Sequence, residues 1–277
     1  MRILITGHKG QLGGTLMEAL QHHDLEGIDL PETDITRLAV VEVIASLRPD
    51  LVIHAAAMTD VDGCARDPEA AYLINALGTR NVALGCLKAS AEMLYISTNE
   101  VFDGERGEAY TEFDATNPIN AYGRSKLAGE RAVSAMLDRC YIVRTAWLFG
   151  AADNNFPTRI LRRARETDVL RVVVDEVASP TYAPDLAAAI VRLIATEAYG
   201  VYHLTNAGSC SRFDFAAAVL DVMGVSDVRL APIALAEYPR PSRPPRYSVL
   251  RNLCAAQLGI ELRPWQQALA EWAEGKR

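Results

Sequence analysis

Residue patterning predicts an α/β fold, a doubly wound parallel sheet with a smaller C-terminal lobe. Three features lead to it. An apolar strand at the extreme N-terminus, Arg2–Thr6, runs directly into glycines at spacing three and three, Gly7, Gly10 and Gly13. Strand and helix patterns then alternate as far as Gly150, which a parallel sheet with right-handed crossovers accommodates most economically. Beyond Gly150 the pattern loosens into shorter strands and proline-containing loops. At 277 residues, half of them hydrophobic, the chain can fill one large α/β domain or two smaller ones.

The first strand is rich in β-branched residues and is of the buried type. A tight turn after it needs glycine, and a pyrophosphate must approach bare backbone there. The amphipathic helix that follows, beginning around Gln11 and Leu12, offers free N–H groups and a partial positive charge. The spacing departs from G-x-G-x-x-G, so on its own it leaves a generic glycine turn open. A second strand over 25–28 ends at Asp29. That is about 20 residues past the glycines, where a carboxylate accepts from an adenosine ribose hydroxyl. The same carboxylate repels a 2′-phosphate, which Lys9 would counter, so NADH and NADPH both stay open. Asp34, Ile35 and Thr36 read either as a helix cap or as flanks of an adenine.

A third strand over 49–54 is followed by Ala55, Ala56, Ala57, Met58 and Thr59. Small residues after a strand let a ligand pack against backbone, or they are ordinary strand-end packing. Asp67 and Pro68 open a helix over 67–90. Asn75 on that helix is either a buried anchor for neighbouring loops or a surface residue. A fourth strand over 92–97 runs into Thr98, Asn99 and Glu100. Ligands of doubly wound sheets sit outside the carboxyl ends of strands, which places the Thr98 hydroxyl to bond a reacting oxygen; capping a turn is the competing reading.

Asn117 and Pro118 read as the start of a helix over 118–137, on which Tyr122 and Lys126 lie one turn apart on one face. A tyrosine with its usual pKa of about 10 is a poor acid–base group, but an ammonium one turn away favours the phenolate and lowers that pKa. Taken alone, the pair is equally a surface tyrosine beside a lysine that pairs with Glu130.

A fifth strand over 139–145 leads to Trp147. After it come a helix carrying Arg159, Arg162, Arg163 and Arg165, a strand over 172–175, and a helix capped by Asp185. A strand over 200–205, a helix over 211–224, a proline-rich loop over 239–245 and a helix over 264–274 complete the chain. Arg240, Arg243 and Arg246 in and after that loop make a local anion site or a solvated loop. We read residues 1–150 as a dinucleotide-binding domain. Residues 151–277 form a smaller substrate-binding lobe, interleaved with the first part and not folding alone.

The net charge of −7 with no Lys/Arg cluster argues against nucleic-acid or membrane-surface partners. Five scattered cysteines, odd in number and without Cys-x-x-Cys, read as free thiols of a reducing compartment. No apolar run of membrane length and no signal peptide are visible, so a soluble, cytoplasmic protein is expected. We assign no metal ligands.

Several stretches carry a family resemblance: Thr6 to Gly13, His54 to Asp62, Ser97 to Gly104, Asn120 to Lys126, Arg144 to Gly150, Asn154 to Phe156, Ser179 to Tyr182 and Ser242 to Pro244. Together they resemble the extended short-chain dehydrogenase/reductases, which are Rossmann-like. Within them, the chain is similar to the dTDP-4-dehydrorhamnose reductase family over nearly its whole length. The resemblance implies NADPH or NADH as cofactor and a nucleotide-sugar substrate, a dTDP-linked keto-deoxyhexose whose 4-keto group is reduced. Tyr122 would be the proton donor, Lys126 would bind the nicotinamide ribose and depress the tyrosine pKa, and Thr98 would bond the reacting oxygen. Gly10, Gln11 and Leu12 would wrap the pyrophosphate, with Gly7 and Gly13 shaping the turn. Asp29, Asp34, Ile35, Ala57, Met58 and Thr59 would line the cofactor site, and Asn99 and Trp147 would face the sugar nucleotide. The family often has Asp-Tyr where this chain has Asn99-Glu100, a difference at the substrate edge. A nucleotide-sugar epimerase or dehydratase of the same superfamily and a non-catalytic regulatory subunit are the alternatives. Assembly as a homodimer is left open.

Overall fold

The computed structural model describes residues 1–276. Six strands form a parallel sheet: β1 (Arg2–Thr6), β2 (Asp24–Ile28), β3 (Leu51–His54), β4 (Glu92–Thr98), β5 (Cys140–Thr145) and, much later in the chain, β10 (Gly200–His203). Between the last two lie the short strands β6 (Leu148–Phe149), β7 (Val169–Val173), β8 (Val177–Ala178) and β9 (Thr181–Tyr182); β11 (Cys210–Ser211) and β12 (Arg229–Ile233) follow. The spatial order is β2-β1-β3-β4-β5-β10, so the direction of winding reverses between β1 and β3. Such a reversal leaves a crevice outside the strands' carboxyl ends, the usual place for a ligand.

Alternation along the strands feeds two cores. Ile3 and Ile5 face one side of the sheet and pack with Leu16 of α1 (Gln11–Ala19) and Ile190 of α8 (Ala183–Ile194). Leu4 and Val52 face the other, against α2 (Ala39–Leu47) and α5 (Thr79–Ala89). The third core, around Phe149, Phe215 and Trp272, holds the C-terminal lobe together. Its helices are α7 (Phe156–Ala164), α9 (Arg212–Val222) and α11 (Trp265–Glu274), and its strand pairs are β6 with β9, β7 with β12 and β8 with β11.

Where the expected elements shift, local hydrogen bonds give the reason. The helix expected over 118–137 is α6 (Ala121–Met136), and its cap is Asn120 rather than Asn117. Asn120 Oδ1 accepts from the Gly123 N–H at 2.8 Å, whereas the Asn117 backbone and side chain are spent on Val101 and Asp103. Asp185 does not cap its helix. It lies in the first turn of α8, where its carboxylate takes both nitrogens of a fork from Arg263 at 2.9 Å each. The helix expected over 67–90 starts at Pro68 with Asp67 capping it, but it passes through a π turn, Leu73–Gly78, between α4 (Pro68–Tyr72) and α5. A further short helix, α3 (Val61–Arg66), precedes it, and α10 (Leu253–Gln257) precedes α11. Among the described residues no helix is long and apolar enough to cross a membrane, and no cluster of three or more His, Cys, Asp or Glu is placed to hold a metal ion. All five cysteines are free thiols.

Candidate active site

The crevice at the sheet reversal is a cavity of about 540 Å³, whose walls include Gly7, Gly10, Asp29, Asp34, Ile35 and Met58. Close backbone approach builds its floor. Gly7 turns at φ +73°, and a Cβ there would lie 2.6 Å from the Ala56 nitrogen. A Cβ on Gly13 would lie 2.1 Å from the Gly7 carbonyl oxygen, so only glycine lets α1 start this close to the turn. Gly10 caps α1 without a side chain, leaving the first N–H groups of Gln11 and Leu12 free of a side-chain cap. The Leu12 side chain is in the core, so only its backbone is available to a ligand, and Gln11 Oε1 is held by Asn155 Nδ2 at 3.1 Å.

At the far wall, Asp29 Oδ2 accepts from the Lys9 N–H at 3.0 Å. The Lys9 ammonium is turned to the Leu30 carbonyl at 2.9 Å and to Glu32 at 2.7 Å. Asp34 Oδ1 takes both the N–H and the hydroxyl of Thr36, which hold its carboxyl below the usual range. Ala57 and Met58 line the cavity; Thr59 is exposed just beyond them and does not. The glycine cradle and the cavity walls fit a dinucleotide: bare N–H groups for a pyrophosphate and an acceptor for a ribose hydroxyl.

Two buried polar residues pin the strand ends that shape this cavity. His54 bonds Thr6 Oγ1 at 2.6 Å through Nδ1 and Thr79 Oγ1 at 3.0 Å through Nε2; burial, with the Lys126 charge adding to it, lowers its pKa to about 3 and keeps it neutral. Asn75 is fully buried. Its Oδ1 accepts from Met58 N at 2.8 Å, and its Nδ2 donates to the Met58 carbonyl and to Ser125 Oγ, each at 3.0 Å. The open reading of Asn75 therefore resolves as an anchor, tying the cofactor loop to α6. The π turn at this residue also leaves its own carbonyl to accept from Thr79 Oγ1 at 2.7 Å.

Thr98, Tyr122 and Lys126 come together beside this anchor. Thr98 and Lys126 are buried and Tyr122 partly so; the Thr98 hydroxyl accepts from the Glu100 N–H at 3.2 Å. Lys126 Nζ donates to the Ile96 carbonyl at 2.6 Å and lies 4.2 Å from the centroid of the Tyr95 ring. Burial lowers the lysine pKa to about 7, with Glu130 pulling it back. The expected depression of the tyrosine pKa by Lys126 is absent from this arrangement. Burial, then the charge of Glu100, push the Tyr122 phenol above its ordinary value, and only Thr98 opposes them. Lys126 is not among the groups that move the phenol; its ammonium is turned to the Ile96 carbonyl and the Tyr95 ring. Glu130 does not pair with Lys126 at the surface; it is buried under the fork of Arg144, at 2.9 and 2.7 Å, and takes the Ser97 hydroxyl at 2.5 Å.

The expected substrate edge is assembled from across the chain. Asn99 Nδ2 donates to Ser248 Oγ at 2.6 Å, while its Oδ1 lies 3.3 Å from the Thr98 hydroxyl. Trp147 adopts φ +43°, a costly conformation for a bulky residue, and the Arg212 guanidinium stacks 3.6 Å from its ring centroid. Arg212 pairs with Glu176 at 2.9 Å, Glu176 faces Arg240 at 3.7 Å, and Arg240 pairs with Asp62 at 3.0 Å. Arg240 is thus neither a free anion site nor a solvated residue, while Arg246 stays exposed and faces Asp175 at 3.5 Å. Sequence reasoning missed Glu176 and Arg212, whose only signal was their charge, and took Asp62 only as part of the stretch from His54, without this pairing.

Thr98, Tyr122 and Lys126, close to a cavity that fits a dinucleotide, are residue types that a carbonyl reductase could use. The sequence profile described as the RmlD substrate binding domain matches residues 1–276. A curated dTDP-4-dehydrorhamnose reductase of Mycolicibacterium smegmatis is 38% identical over 98% of this chain and 84% of its own. Among solved structures, a dTDP-4-dehydrorhamnose reductase of Clostridium acetobutylicum superposes with a TM-score of 0.95 at 41% identity, covering 100% of this chain and 99% of that one. The Bacillus anthracis dTDP-4-dehydrorhamnose reductase, solved with NADP, gives 0.95 at 38% identity over 99% of both chains. The chain belongs to the RmlD substrate binding domain family.

Proposed function

We propose that this protein reduces the 4-keto group of dTDP-4-dehydro-L-rhamnose to give dTDP-L-rhamnose, using NADPH or NADH. The observation that carries the reading is that Tyr122, one turn from Lys126 on α6, packs with Met58, which lines the glycine-floored cavity. The nicotinamide cofactor supplies the hydride when bound. Gly10, Gln11 and Leu12 hold the pyrophosphate through backbone N–H groups, and Asp29 takes the adenosine ribose. Thr98 bonds the carbonyl oxygen, which lines it up with the Tyr122 hydroxyl. Tyr122 gives its proton to that oxygen as negative charge develops there, since a phenol carries its proton throughout the neutral range. Lys126, anchored on Ile96, orients the nicotinamide ribose. Asn99 and Trp147 face the sugar nucleotide. The five free thiols support a cytoplasmic location.

The test is oxidation of NADPH and NADH in the presence of dTDP-4-dehydro-L-rhamnose, with Tyr122→Phe beside the wild type. Turnover is expected to fall by about 10²–10⁴-fold in the variant while cofactor affinity, read by fluorescence, is unchanged. Cofactor binding without any oxidation in the wild type overturns the substrate.

A further inference from the structure

At the Asp29 wall of the cavity, the glycine loop is seated on β2 by two contacts. The His8 ring packs so tightly over Gly27 that a Cβ there would lie 2.5 Å from its Cγ. The next residue, Lys9, donates its N–H to Asp29 Oδ2 at 3.0 Å, while Asp29 Oδ1 accepts from the Leu30 N–H at 2.8 Å. The Lys9 side chain is thus rooted beside a fixed carboxylate, yet its ammonium does not turn to that carboxylate. It donates instead to the Leu30 carbonyl at 2.9 Å and to Glu32 Oε2 at 2.7 Å. Leu30 and Thr33, on either side of this pairing, line the cavity. Arg37, also beside this wall, already faces Asp34 at 3.6 Å.

We propose that Glu32 is a specificity-determining residue for the cofactor: by holding the Lys9 ammonium away from Asp29, it turns the choice towards NADH. The inference rests on the reading of this cavity as the cofactor site, with Asp29 at the adenosine ribose. A ribose hydroxyl needs only an acceptor there, which Asp29 supplies whatever Lys9 does. A 2′-phosphate brings close to two negative charges against the same carboxylate and needs a cation to offset them. Lys9 is rooted where it could do so, and Glu32 takes that compensation away. The hydrogen bond from Lys9 holds the Glu32 carboxyl below its usual range, so Glu32 stays charged. Both side chains are solvent-exposed, 48% for Lys9 and 68% for Glu32. Such a pair is a weak latch, and a change of charge at position 32 releases it without disturbing the core.

The experiment measures the Kd of NADH and of NADPH by nicotinamide fluorescence, at fixed ionic strength, on the whole protein. Glu32→Gln keeps the shape of the side chain and removes its charge. Lys9→Met removes the ammonium and keeps the N–H that serves Asp29. In Glu32→Gln, NADPH is expected to bind about fivefold more tightly, with NADH within about twofold of wild type. In the Lys9→Met background the same substitution should bring no such gain. A ratio of NADPH to NADH affinity that is equal in Glu32→Gln and wild type overturns the proposal. So does a gain that is undiminished without Lys9, because Glu32 would then act through its own charge alone. These readings need no sugar nucleotide, so they stand apart from the reductase test. A wild type that binds neither cofactor sinks the cofactor reading and this inference together, whereas binding of both with an unmoved ratio sinks this inference alone.

Discussion

The two walls of the active site are built by opposite means. The cofactor wall is made of near neighbours and bare backbone: Gly7, Gly10 and Gly13 fall within one turn and one helix start. The proposed substrate edge is made of side chains far apart in the chain. Arg240 meets Asp62 across 178 residues, and Asn99 meets Ser248 across 149. A pyrophosphate is the same in every dinucleotide, so a local backbone cradle serves it. A sugar nucleotide has to be gripped from several sides, and that calls for loops brought in from elsewhere.

Substitutions at the two walls should separate these mechanisms. Gly13→Ala should have the largest effect, because its Cβ meets a backbone oxygen that has no side-chain freedom to yield. We expect at least about a tenfold loss of NADH and NADPH affinity and about 1–3 kcal/mol of stability, read by fluorescence titration and thermal melting. Unchanged affinity would show that the cradle does not hold the pyrophosphate. Asn75→Ala removes the anchor between the cofactor loop and α6 and strands the part-buried Met58 N–H. It should cost about 2–3 kcal/mol in denaturant unfolding and weaken cofactor binding. A smaller effect is expected for Arg240→Ala, which cuts the charge ladder at the substrate edge. Loss of about 1 kcal/mol there should raise the substrate KM about fivefold and leave cofactor affinity unchanged. If cofactor affinity fell as well, the two walls would be one coupled unit.

The same contrast explains what could be read before the structure. The strands β1 to β5 and the glycine cradle were legible because strand periodicity and turn chemistry are local. Asn75 was ambiguous because its partners, Met58 and Ser125, are 17 and 50 residues away. The start of α6 was misplaced at Asn117 because two asparagines compete as caps, and only the pull of Val101 and Asp103 decides between them. The effect of Lys126 on Tyr122 was misjudged for a different reason. Spacing on a helix gives proximity, but the sign of a pKa shift depends on burial and on Glu100, which approaches from another element. Glu176 and Arg212 had no pattern to betray them, since a charged residue looks alike whether it is solvated or stacked on Trp147.

The strand β10 has a consequence for how this protein is made. It pairs with β5 although some 55 residues separate them, and it forms the outer edge of the sheet. As the chain leaves the ribosome, β5 is complete with its hydrogen-bonding edge bare while the next stretch of polypeptide is still being synthesised. The sheet closes only once Gly200–His203 has emerged. During that interval the nascent chain carries a sticky strand, and a fragment ending after β5 would keep it for good.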